Sequence, residues 1–131
     1  MFTVSTQREA QLDRRVNRSD NTKEALELQL AASARRGDLG PVVLADDLGL
    51  VVASAGNKGV CEHIAALSPK LAAGFDTWQG DVLTNAGKMY LSVSPFHYQG
   101  DTLYLAAISG DEKNIPQELF MSGLGVLRIL N

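Results

Sequence analysis

The feature that most constrains the fold is a double change of apolar period between residues 22 and 71. Across TKEALELQLAASARR the apolar side chains recur at helical spacing. Leu26, Leu30 and Ala34 form an i, i+4, i+8 row, with Ala25, Leu28 and Ala32 beside it and Lys23, Glu24, Glu27 and Arg35 outside. Asn21, three residues before Glu24, has the spacing of an N-cap with an acidic N3 residue. Gly37 stands where a left-handed residue would close the helix. A helix over 22–36 is predicted. The pattern then collapses into continuous runs, Val42-Val43-Leu44 and Leu50-Val51-Val52, which read as strands covered on both faces or nearly so. DDLG joins them, with Asp as turn former and Gly49 free to take positive φ, so an antiparallel hairpin is the economical reading.

Helical spacing returns in NKGVCEHIAALSPKLAAGF, where Val60, Ile64, Leu67 and Leu71 recur at i, i+4, i+7 and i+11. Alanines 65, 66, 72 and 73 leave room for another backbone close by. Pro69 interrupts this row. Either it kinks or breaks the helix, or Ser68-Pro69 opens a second short helical segment with serine as N-cap and proline at N1. The remainder is β-rich. Asp81–Thr84 reads as a short strand. KMYLSVSPF alternates Met89, Leu91 and Val93 against Tyr90, Ser92 and Ser94, and TLYLAAIS follows after a hairpin turn around Gly100-Asp101. NIPQELFMSGLGVLRIL closes the chain as a helix starting near Pro116, with Leu119, Leu127 and Leu130 apolar. Gly123 and Gly125 weaken it by roughly 1 kcal/mol each relative to alanine and mark close packing on the sheet.

The order is therefore α-β-β-α-β-β-β-α: an α+β domain over residues 21–131 with a five-stranded, mainly antiparallel sheet. Residues 1–20 carry few apolar anchors (Phe2, Val4, Leu12, Val16) and are read as a peripheral extension. A 131-residue chain with 45% hydrophobic and 21% charged residues is ordinary for one globular domain. Its net charge of −3 argues against nucleic acid as the main partner, since phosphate binding needs a basic surface. Arg14-Arg15 and Arg35-Arg36 read as solvated surface. The one cysteine, Cys61, excludes a disulfide framework within the chain and fits a reducing, cytoplasmic setting. No apolar run approaches the ~20 residues of a membrane span.

The search for chemistry is short. Asp46-Asp47 are adjacent in a tight turn and are expected to face water rather than to act as a catalytic pair. Cys61 and His63, two apart on a helix, diverge by about 200° instead of converging on a metal or a nucleophile pair. His97 stands alone in a loop. AGNKG has glycine, lysine and a following helix N-terminus but lacks the G-x-x-x-x-G-K-[ST] spacing of a nucleotide-hydrolysing loop. Trp78 is either a surface anchor for a partner or a lid over the sheet edge. No catalytic, cofactor-binding or metal-binding residues are assigned.

The order of elements, and above all VVLADDLGLVVASAG followed by an alanine-rich helix and then GKMYLSVSPFHYQGDTLYLAAISG and a terminal helix, resembles the roadblock/LC7 family from Thr22 to Asn131. The resemblance implies a roadblock/LC7-like two-layer α/β sandwich and a non-enzymatic module that needs no cofactor. Such domains form homodimers, or heterodimers with a paralogous chain, through the central helix and third strand. Carried onto this sequence, that interface comprises Val60, Ile64, Leu67, Leu71, Val82 and Leu83. The dimer would then offer a platform to a Ras-like small GTPase; bacterial members of the gliding-motility type can stimulate GTP hydrolysis without a catalytic residue of their own. Physical reasoning agrees: one helix in a thin two-layer domain cannot bury both its apolar row and its alanine face, and a self-complementary two-fold contact would cover the remainder. Two other readings stand beside it, a profilin- or PAS-like small-molecule sensor with an internal pocket and a nucleotide-independent structural adaptor.

Overall fold

The computed structural model describes residues 20–73, 76–84, 87–109 and 115–131. The peripheral extension expected over residues 1–20 lies outside them except for Asp20. The elements are α1 (Asp20–Gly37), β1 (Val42–Ala45), β2 (Val51–Ala55), α2 (Lys58–Leu71), β3 (Trp78–Thr84), β4 (Gly87–Tyr98), β5 (Asp101–Ser109) and α3 (Ile115–Leu130). All strand pairs are antiparallel, in the order β2-β1-β5-β4-β3. The α-β-β-α-β-β-β-α order and five-stranded sheet are those the sequence predicts.

Strand alternation decides which side chains meet which helix. On one face Val42, Leu44, Leu103, Leu105 and Ala107 pack with Leu26 and Leu30 of α1 and with Ile115, Leu119, Val126 and Leu130 of α3. On the other, Val43, Ala45, Leu91, Val93, Tyr104, Ala106 and Ile108 pack with Cys61, Ile64 and Ala65 of α2. The sandwich therefore has three layers, α/β/α, where the sequence reading has two. The central strands β1 and β5 are buried on both sides for this reason.

Local detail departs from expectation in several places. The helix α1 already includes Asn21, so Asn21 is not its N-cap. Its closing residue in the left-handed region is Asp38 (φ 51°), not Gly37. The Leu39 amide donates to Ala34 O at 2.8 Å and the Asp38 amide to Arg35 O at 3.4 Å, the two bonds of a Schellman motif. A side chain at Gly37 would instead meet Glu118 and Leu39 at 3.0 Å, so that glycine serves the approach of α3. Leu28 lies away from the buried row and is 64% exposed. Strand β2 sits at a sheet edge, which leaves Leu50 and Val51 53% and 37% exposed rather than covered. The hairpin turn is Gln99-Gly100 (φ 50° and 84°), a primed two-residue turn between Tyr98 and Asp101. His97 consequently lies within β4, with Nδ1 3.3 Å from Thr102 Oγ1, not in a loop.

Pro69 neither breaks α2 nor opens a second segment: the helix runs on to Leu71, and the Ala72 amide closes it on Ser68 O at 3.0 Å. Pro69 costs the helix one hydrogen bond, and with only Lys70 and Leu71 after it, little helix follows for it to bend. In α3, a Cβ on Gly125 would lie 2.5 Å from the Gln29 side chain, so this glycine brings α3 close to α1 rather than to the sheet, and Gly123 faces open space. Arg36 of α1 reaches Glu118 of α3 at 2.8 Å, a tie between the two helices. The Tyr98 hydroxyl donates to Leu130 O at 2.6 Å, fastening the end of β4 to the end of α3.

Candidate functional site

The helix α2 packs over β1, β2 and β5, and the β3–β4 ribbon extends past its flank. Between them lies a groove of about 580 Å³. One wall is Val60, Ile64 and Leu67 of α2, the other Val82 of β3 with Leu83 at its rim, and Leu91 and Ile108 form the floor. Five of the six residues that the sequence assigns to an interface thus share one concave surface; Leu71 lies one turn beyond it, half-buried against the same core.

They do not contribute alike. Ile64 is 1% exposed and belongs to the chain's own core, whereas Val60, Leu67 and Val82 are half-buried. Leu83 is 82% exposed, the most exposed large apolar side chain among the described residues. Alternation along β3 aims Val82 at the α2 face and Leu83 at the other, so Leu83 borders the groove only at its rim. Of the alanines of α2, Ala65 is spent within the chain, while Ala66 is exposed and only its backbone meets the β1–β2 turn. Ala65 is fully buried, and Gly49, in a left-handed conformation (φ 83°), sets the β1–β2 turn against Ala66, where a Cβ would be 3.1 Å from the Ala66 Cα.

The rim strand β3 is the edge of the sheet, so the outward N–H and C=O groups of its seven residues have no strand partner among the described residues. Such an edge is a template for another chain unless something blocks it. β3 carries no proline. A cross-strand ion pair, Lys88 to Asp81 at 3.5 Å, is mostly exposed and of small energetic weight. Trp78 packs against the α2-side core, and a Cβ on Gly80 would lie 2.8 Å from its ring, so the ring covers the glycine of the edge strand. Of the two readings of Trp78, the structure has the lid.

The groove's far end is polar. Asn57 caps α2, its Oδ1 accepting from the Val60 amide at 3.0 Å, and Gly59 and His63 stand beside it. The sequence reading weighs these three residues for metal or phosphate chemistry but does not place them at an interface. The cap was visible as Asn57-Lys58-Gly59 before an apolar row, but its place at the groove depends on where β3 runs. Cys61, on the other side of the helix from His63, is 1% exposed with Sγ 3.7 Å from Ala55 O. Burial pushes its thiol above the ordinary value of 9.0; a hydrogen bond from Ser54 opposes this and the Glu62 charge adds to it. That is the environment of an inert core thiol.

The two adjacent aspartates divide their roles. Asp46 does not face water: it is 4% exposed, and its Oδ1 accepts from the amides of Leu48 and Leu50, both at 2.9 Å. It braces the β1–β2 turn, and Asp47 is the outer one of the pair. Among the described residues no three His, Cys, Asp or Glu side chains gather as a metal site would require, and no helix is long and apolar enough to cross a membrane.

No family model and no curated protein matches this chain. Among solved structures it resembles MglB in a tetrameric arrangement, at 15% identity over 86% of this chain and 92% of that one, with a TM-score of 0.63. It also resembles MglB from Myxococcus xanthus (13% identity, 85% and 90% covered, TM-score 0.60). The gliding protein MglB from Thermus thermophilus is similar as well (16% identity, 86% and 93% covered, TM-score 0.55). At such identities the likeness concerns the fold, which is roadblock/LC7-like.

Proposed function

We propose that the chain is a non-enzymatic dimeric regulator or scaffold that binds a Ras-like small GTPase and stimulates its GTP hydrolysis. The observation that carries this reading is the coincidence of the α2 groove with the free edge of β3. A two-fold axis beside β3 would pair the two edge strands into one ten-stranded sheet. It would also bring each α2 beside its twin, with Val60, Leu67, Leu71, Val82 and Leu83 at the contact. The interface is then isologous and closes on itself, as a soluble dimer requires. A stable interface buries about 1,200–2,000 Å² in total, which needs strand edge and groove together. The likeness to MglB folds, one of them in a tetrameric arrangement, supports self-association, and the sequence's resemblance to the roadblock/LC7 family supports a GTPase as the partner class.

A regulator without catalytic groups acts on a GTPase by holding it in one conformation; it favours hydrolysis only through tighter binding of the competent state. The test is capture of partners from the source lysate on tagged protein, with a GTP analogue or with GDP. Recovery of a Ras-like GTPase mainly with the analogue supports the reading and supplies the substrate for a hydrolysis assay. Recovery of partners regardless of nucleotide means a structural adaptor. A sensor reading has one observation in its favour, the groove volume, which falls within the ~300–1,000 Å³ of small-molecule sites. It requires a compound that raises the melting temperature while the chain stays monomeric.

A further inference from the structure

The groove that the proposed dimer covers holds one titratable side chain, His63. Seven apolar residues, with Asn57 and Gly59, make up the rest of its lining. His63 is exposed in the single chain and stands on α2 three residues after Val60 and four before Leu67, so the three share a flank. A second copy that covers Val60 and Leu67 covers the imidazole with them. We propose that His63 makes this self-association pH-dependent, the contact taking the neutral imidazole and excluding the protonated one. The inference rests on the dimer reading given above.

The charges around the groove leave a protonated ring without a partner. On α2, Glu62 and Lys58 project about 100° and about 140° round the helix from His63. Lys70 lies on the same ridge two turns on, about 10 Å along the axis, and is a like charge. β3 offers no acid on that side: Asp81 projects from the face opposite Val82 and pairs with Lys88 of β4 at 3.5 Å. The floor from β4 and β5 is Leu91 and Ile108. Cys61 and Tyr104 are buried in the core beneath α2. The β1–β2 turn, with Asp46 and Asp47, packs against Ala65 and Ala66 on the side of α2 away from β3. Asp46 Oδ1 already accepts from two amides of that turn. Among the described residues, therefore, no carboxylate faces His63. An imidazolium enclosed by apolar side chains with no counter-charge is disfavoured by desolvation. Two chains then release protons as they associate, and acid favours the free chains. Imidazoles ordinarily change charge near pH 6.5. A contact that admits only the neutral ring multiplies the dissociation constant by about ten per ring between pH 7.5 and 5.5. The two rings of a two-fold dimer together give about 100-fold.

The test is the dissociation constant of the full chain, from sedimentation velocity over a dilution series at pH 7.5 and 5.5 and one ionic strength. The chain has two histidines, and His97 lies in β4 outside the groove, which makes it the internal control. Circular dichroism at both pH values checks that each chain stays folded. The expected result is a parent whose dissociation constant rises about 10- to 100-fold in acid. His97→Gln should follow the parent, and His63→Gln should dimerise at pH 7.5 and hold the same constant at pH 5.5. A parent dimer equally tight at both pH values would overturn the proposal, as would acid weakening that persists in His63→Gln; both leave the dimer reading standing. A His63→Gln chain that fails to dimerise at pH 7.5 would make the histidine a packing residue and not a switch. A parent that is monomeric at pH 7.5 would remove the dimer reading and this inference together.

Discussion

Replacing Asp46 by alanine removes a buried carboxylate that holds two amides of its own turn. Its Oδ1 accepts from the Leu48 and Leu50 amides at 2.9 Å, and the residue is 4% exposed. Hydrogen bonds to a charged acceptor contribute about 1.5–3 kcal/mol each. Leu48 and Leu50 are themselves about half exposed, so water can reach their amides once the carboxylate is gone, which holds the loss to the lower end. For the two bonds together a destabilisation of about 2–4 kcal/mol follows. In a domain of this size that lowers Tm by roughly 8–15 °C. Differential scanning calorimetry at one fixed protein concentration reads it, since a self-associating chain melts higher when concentrated. Asp46→Asn keeps an acceptor oxygen and is expected to recover much of the loss. If Asp46→Ala melts like the parent, the carboxylate does not brace the hairpin and the reasoning fails.

Three further outcomes follow from the packing. Cys61 holds its proton more tightly folded than unfolded, so its contribution to stability is fully present below the unfolded value near 9.0 and is lost as pH rises from there through the folded value. Urea melts at pH 8 and pH 10 should show a smaller alkaline loss for Cys61→Ala than for the parent. Gly125→Leu forces a side chain into the space where Gln29 lies 2.5 Å from a Cβ and should destabilise by about 1–3 kcal/mol in thermal melts. Gly125→Ala, which displaces only the end of a flexible glutamine, should be nearly neutral. Arg36→Ala removes a contact that is half-exposed on the arginine side, so its effect should be no more than about 1 kcal/mol and should shrink further in high salt.

What was legible in the sequence was whatever a local period could report. The Leu26-Leu30 row and the Met89-Leu91-Val93 alternation named the buried faces of α1 and β4 because spacing alone settles them. Quantities set by distant neighbours were not legible. Leu50 and Val51 look like core until β2 proves to be an edge strand, and the third layer appears only when α1 and α3 gather on one face. Asp46 shows the same limit at short range: a carboxylate in a tight turn is usually solvated, and only its bonds to amides two and four residues ahead bury it. The interface residues were suggested by a family resemblance and by one unused helix row. The groove that gathers five of them depends on how far β3 runs beyond α2, which no local pattern encodes.

The central claim is that the α2 groove and the β3 edge form a self-association surface, and its most direct test is the mass of the chain in solution. Sedimentation velocity across micromolar concentrations should give twice the 14.1 kDa of one chain for the parent. Leu83→Arg, at a site 82% exposed and therefore harmless to the monomer fold, should shift that mass toward a single chain. A parent that sediments as a monomer throughout, or a Leu83→Arg chain that dimerises as tightly as the parent, would contradict the account.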